Sequence, residues 1–188
     1  MIFDTHCHAY WRGLGNQWEN VRARMASENV VRSVQIGTDW ETSLEALSLA
    51  RRWGDQTWCA VALHPTSCQD LPEDAAKEWA DRLRPLIEDN RDKVVAVGET
   101  GLDYHHLTRA RGAAQKRSQH AFFIAHAKLA EVLDLPLVIH TRDAASDTVC
   151  LMKDCGIRRA VIHCYSEERE FARTLLSWSD GMYFSFSG

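Results

Sequence analysis

Short apolar runs rich in β-branched residues alternate with longer amphipathic stretches along the whole chain, and this alternation restricts the fold more than any other feature. The runs are Ile2–Asp4, Val30–Ile36, Thr57–Leu63, Lys93–Val97, Pro136–Ile139, Ala160–Ile162 and Met182–Phe186. They are too short for helices and lack a polar residue at every second position, so they read as strands buried on both faces of a parallel sheet. The stretches between them, Trp18–Asn29, Glu41–Trp53, Glu73–Asn90, Arg109–Leu133, Ala144–Cys155 and Glu167–Ser177, read as helices. Asp39 or Thr42, Pro72 and Ser166 mark three helix starts. Strand and helix taking turns in this way imply right-handed crossovers within one parallel sheet. An open doubly wound sheet would carry a glycine-rich phosphate loop after its first strand, and none is present. The α/β class with a TIM (β/α)8 barrel is therefore expected.

The count of strands stops at seven, and the sequence ends at Ser187-Gly188. A full barrel takes roughly 250 residues. The expectation is a barrel truncated after strand 7, with residues 1–188 as a single incomplete domain that a C-terminal segment outside this chain would complete. The formal net charge of -4 excludes the broad basic surface of a high-affinity, non-specific nucleic-acid binder. None of the six cysteines forms a CxxC pair, which points to the reducing cytoplasm. The N-terminus lacks the pattern of a secretory signal, and no apolar run approaches the ~20 residues of a membrane helix. No membrane partner is expected.

The chemistry collects where the apolar runs end. His6 and His8 follow the first run and, by strand alternation, face the same way, so both imidazoles can reach one metal ion. Asp4 has the same parity and is expected to orient one of the imidazoles. Glu99 follows the fourth run, His140 the fifth and His163 the sixth. A lone histidine in such a place is usually a core residue, but ligand-type residues closing several strands fit a barrel enzyme, whose site lies at the C-terminal strand ends. Imidazoles with one carboxylate suit zinc, manganese or iron, and allow magnesium if water and phosphate oxygens complete the shell. One carboxylate among many histidines points to Glu99 bridging two divalent ions, a device used in phosphodiester hydrolysis.

Five ordered blocks carry a family resemblance. They are Phe3-Asp4-Thr5-His6-Cys7-His8, Leu63-His64-Pro65, Val97-Gly98-Glu99-Thr100-Gly101-Leu102-Asp103-Tyr104, Leu135 to Ala144 around His140-Thr141-Arg142-Asp143, and Ile162-His163-Cys164-Tyr165-Ser166. With Phe184-Ser185-Phe186-Ser187-Gly188 as a seventh strand, the chain resembles the TatD family of metal-dependent hydrolases from end to end. The resemblance implies that His6 and His8 hold one ion, that Glu99 bridges, and that His140 and His163 hold the second. Glu99, His140 and His163 are then the catalytic set. It further implies substrate contacts for His64, Asp103, Tyr104 and Arg142. A capping role beside Pro65 is equally open for His64, and a salt bridge to Asp143 is open for Arg142. His126 stands where the family commonly has glutamine. His105, His106 and His120 match no family role and read as surface residues, while Trp11 is placed to stack on a base. The family also draws an aspartate from an eighth strand, which this sequence does not contain.

The function implied is hydrolysis of DNA phosphodiester bonds, from single-stranded ends, by a metal-activated water. Two divalent ions (Zn, Mn or Mg) are the cofactors and DNA is the partner. Hydrolysis of an amide, ester or lactone by the same centre remains an alternative, as does a non-catalytic metal-binding fragment.

Overall fold

The computed structural model describes residues 1–11, 14 and 17–186. Its strands are β1 (Ile2–Cys7), β2 (Val30–Ile36), β3 (Thr57–Val61), β4 (Val94–Asp103), β5 (Leu137–Arg142), β6 (Arg159–Ile162) and β7 (Gly181–Phe184). The helices are α1 (Trp18–Ser27), α2 (Trp40–Trp53), α3 (Pro65–Cys68), α4 (Ala75–Glu88), α5 (Gly112–Val132), α6 (Ala145–Asp154) and α7 (Arg169–Trp178). All neighbouring strands are parallel and the sheet runs β1-β2-β3-β4-β5-β6-β7 in chain order. This is an open barrel of the TIM type, in agreement with the alternation of the sequence. Of the seventh-strand block, Ser187 and Gly188 lie outside the described residues.

Two apolar layers hold the sheet in place. The larger packs the strands against the helices and includes Leu83, Ile87, Phe122, Phe123, Met152 and Leu175. Phe122 and Phe123 are almost fully buried, and each such side chain stabilises the fold by roughly 1.5–3 kcal/mol. The smaller layer, Val34, Ile36, Ala60, Ala96 and Val138, comes from strands alone and fills the inner side of the sheet.

Local chemistry sets the ends of the elements. Asp39 caps α2: its carboxylate accepts from the Thr42 backbone N–H, and the Thr42 hydroxyl accepts from the Asp39 N–H. Helix α5 stops because Asp134 takes a left-handed φ of 51° and Leu135 N–H returns to Ala130 O, after which Pro136 prevents continuation. Gly156 ends α6 in the same manner at φ 64°. Two expected starts are displaced. Pro72 lies ahead of α4, which begins after Asp74, and α7 begins after Glu168 rather than at Ser166. Neither Pro72 nor Ser166 supplies the helix's cap, and neither observed cap residue makes a side-chain cap bond.

Strand β4 differs most from expectation. The apolar run Lys93–Val97 predicts a short strand, whereas the structure carries it to Asp103. Gly98 pairs with Val138 and Thr100 with Ile139, so Glu99 is an extra residue bulged out of the ladder. Beyond it, β4 presses so close to β5 that a Cβ on Gly101 would sit 2.0 Å from His140 O, and Gly101 has φ +135°. Glycine is required there.

Candidate metal centre

Bulges aim the central groups. The register between β1 and β2 shifts between Asp4 and Cys7, which breaks the simple alternation assumed for His6 and His8. Asp4 accordingly accepts from the His6 backbone N–H at 3.1 Å and does not orient an imidazole. In β4 the bulge turns the Glu99 carboxylate, 4% exposed, into the middle of a ring of histidines.

The two carboxylate oxygens serve separate groups. Oε2 lies 3.3 Å from His6 Nε2, and His6, Glu99 and His163 form one possible ion-holding cluster. Oε1 lies 3.1 Å from His140 Nδ1 and 3.6 Å from His64 Nε2, and these three residues form the other. His163 therefore groups with His6, and not with His140 as the resemblance implied. The reason is geometric: the rings of His6 and His163 stack at 3.4 Å and 11°, although β1 and β6 are not neighbours in the sheet. His8 belongs to neither cluster; its ring centre is 5.1 Å from that of His6. Its Nδ1 bonds Ile36 O at 2.9 Å, so Nδ1 carries the proton and Nε2 keeps a lone pair.

Burial and charge set the protonation states. Burial lowers the pKa of His64 and of His163 to about 4 each, so both are neutral at pH 7. Burial also lowers that of His8, and the neighbouring His6 adds to the effect. Burial would raise Glu99, but hydrogen-bonding contacts with His140 and His6 outweigh it and hold the carboxyl well below its usual range. His140 shows the opposite balance. Burial lowers it, yet Asp103 and Glu99, one at each ring nitrogen, bring it up to about 9.

The remaining expected residues divide. Of the two roles left open for His64, the structure shows the cap. Its Nδ1 accepts from the Thr66 backbone N–H at 3.2 Å, capping α3, while Nε2 faces Glu99. A main-chain N–H can only donate, so the proton of this imidazole sits on Nε2, and with its lone pair spent on the cap His64 stands beside His140 and Glu99 as a donor and not as an ion ligand. Asp103 is 1% exposed and bonds His140 and His106, which puts it behind the histidines and not on an open surface. The Tyr104 hydroxyl donates to Asp147 Oδ2 at 2.6 Å and lies 2.5 Å from His120 Nε2, and Lys116 covers its ring at 3.7 Å. Arg142 is exposed at the end of β5 and makes no ion pair with Asp143, which instead meets His105 at 3.0 Å. Trp11 is 63% exposed in the loop after β1.

His106, expected at the surface, meets the Asp103 carboxylate, a contact that no motif announces. A cavity of about 540 Å³ between α4 and α5 is lined by none of the candidate site residues. Its walls lack the convergent ligand groups of the two clusters, so the chemistry belongs to the strand ends.

Known proteins agree with this picture. TatD related DNases match residues 3–188 as a family. An uncharacterized metal-dependent hydrolase of Bacillus subtilis, YabD, is 32% identical over 190 residues, which take in 100% of this chain and 69% of the relative. The human deoxyribonuclease TATDN3 is 26% identical over 87% of this chain and 60% of its own length. The crystal structure of YJJV, a TatD homologue from Escherichia coli, superimposes with a TM-score of 0.83 at 26% identity, covering 97% of this chain and 66% of that one. The chain thus spans about two thirds of the length of such relatives. Because the family match takes in both histidine clusters and the carboxylate between them, the chain belongs to the family of TatD related DNases.

Proposed function

We propose that this chain is a metal-dependent hydrolase of DNA phosphodiester bonds, acting at single-stranded ends in the cytoplasm. One observation carries the reading: a single buried carboxylate presents each of its oxygens to a separate group of imidazoles.

The residues suit a pair of divalent ions. His6 Nδ1 and Nε2 and His163 Nδ1 are buried without a hydrogen-bond partner. Each such atom costs roughly 1–3 kcal/mol, and each of the two rings has one lone pair to offer an electron-pair acceptor. The nearby Cys7 thiol is engaged with Val34 O and Gln35, leaving imidazole nitrogen and carboxylate oxygen as the donors. That set fits zinc or manganese, or magnesium with added oxygen ligands. His6, His8, His140 and His163 would hold the ions, with Glu99 between them. When bound, the ions supply Lewis acidity and acidify water at the reacting centre.

The chain's own groups do the rest. His64, with its proton fixed on Nε2, donates a hydrogen bond to a phosphate oxygen. Arg142 pairs with a neighbouring phosphate, for which its planar fork is suited. Tyr104, with its hydroxyl already engaged, contributes its ring to the wall. With a net charge of -4, the protein attracts DNA through these local groups and not through a global field. The name deoxyribonuclease given to the human relative supports the choice of substrate, and six free cysteines suit the cytoplasm.

The test is cleavage of an end-labelled single-stranded oligonucleotide with Mg²⁺, Mn²⁺ or Zn²⁺. Wild type should cut only with metal, and Glu99→Gln and His140→Ala should each be slower by at least about 100-fold. Cleavage in excess chelator, or equal cleavage by all three proteins, removes the reading. Turnover of esters or lactones with the oligonucleotide left intact assigns the centre to a different substrate.

A further inference from the structure

Asp103 is the most constrained carboxylate outside the two clusters. Its backbone is pinned by Gln119 of α5, whose Oε1 accepts from Asp103 N–H at 2.8 Å and whose Nε2 donates to Asp103 O at 2.9 Å. Gln119 is itself fully buried. Its Oδ2 accepts from His140 Nε2 at 3.0 Å and from the His106 ring at 2.9 Å, and its Oδ1 accepts from the His106 backbone N–H at 2.9 Å. Nothing in this arrangement leaves Asp103 room to meet a substrate.

We infer that Asp103 is a positioning residue: it holds the proton of His140 on Nε2 and aims Nδ1, the only nitrogen left, at the ion shared with Glu99. The inference rests on the metal-dependent reading above. An imidazole can give a lone pair from one nitrogen only if the other keeps its proton, and the partner of that second nitrogen decides which is which. His140 has a carboxylate at each nitrogen. Glu99 lies on the side where the other histidines converge, whereas Asp103 lies on the side held by α5 and by His106. The half-exposed His106 closes the cage from solvent and keeps the carboxylate from turning away.

The test is Co²⁺ binding followed by competition with a chromophoric chelator and by the visible spectrum. The proteins are wild type, Asp103→Asn, Asp103→Ala, His140→Ala and the double variant Asp103→Ala/His140→Ala. Loss of the carboxylate should weaken one Co²⁺ site by roughly 10–100-fold and alter its spectrum. In the His140→Ala background the same change should have no further effect, because the imidazole it positions is gone. If Asp103→Ala fails to fold, Asp103→Asn, which keeps the shape, decides. Unchanged affinity in the Asp103 variants, or an equal loss with and without His140, overturns the inference and leaves the metal centre standing. Absence of Co²⁺ binding by wild type overturns both.

Discussion

His126 lies fully buried in α5, with Nδ1 2.8 Å from Thr100 Oγ1 and Nε2 without a partner. Burial lowers its pKa from 6.5 to about 4. Between those values the unfolded chain binds the proton more readily than the folded one, so this residue's share of stability is complete above pH 6.5 and is lost as pH falls toward 4. His126→Gln removes the titration and keeps a polar side chain. We expect the fall in unfolding free energy between pH 7 and pH 5 to be smaller in the variant by about 2 kcal/mol. Urea titrations at both pH values measure it, and identical falls would contradict it. At this scale the sequence was legible wherever a polar ligand type closes an apolar run, as at His140 and His163. It was not legible for Asp103, whose task depends on the ring of His140 from another strand, nor for His106, whose partner is that same carboxylate. Asp4 was misjudged because a parity argument assumes an unbroken ladder, and β1 has a shift in register.

Elements were read well in existence and less well in extent. Each expected strand and helix is present, because burial on both faces of the strands and on one face of the helices writes a period into the chain. The short α3 was not foreseen, since four residues after His64-Pro65 leave no period to detect. Strand β4 outlasts the apolar run Lys93–Val97 because Gly98 and Gly101 allow the chain to continue close beside β5. Gly101→Ala tests this reading. The added Cβ would collide with His140 O, and we expect a loss on the order of 3 kcal/mol in urea unfolding. Unchanged stability would mean that β4 and β5 are not held so close.

Across the whole molecule, the clusters gather residues from β1, from the turn after β3, from β4 and β5, and from just beyond β6. An ion bound there stabilises the folded state by its occupancy, about 2.7 kcal/mol at a free concentration 100 times Kd. For a chain of this size that corresponds to a rise in Tm of roughly 5–10 °C. Saturating Mn²⁺ should produce it, chelator should reverse it, and His6→Ala/His163→Ala should lack it. An equal rise in that double variant would show that the ions sit elsewhere.

The face-to-face rings of His6 and His163 carry a mechanical consequence. One lies in β1 and the other just beyond β6, with four strands between, so they can touch only because the sheet bends round like a hoop. A cation gripped by both would work as its buckle, tying the start of the chain to a point far along it and removing the freedom of everything in between. Affinity for the cation and curvature of the hoop then become one quantity, and a substitution that flattens the sheet anywhere along its arc should release the metal without touching a single ligand.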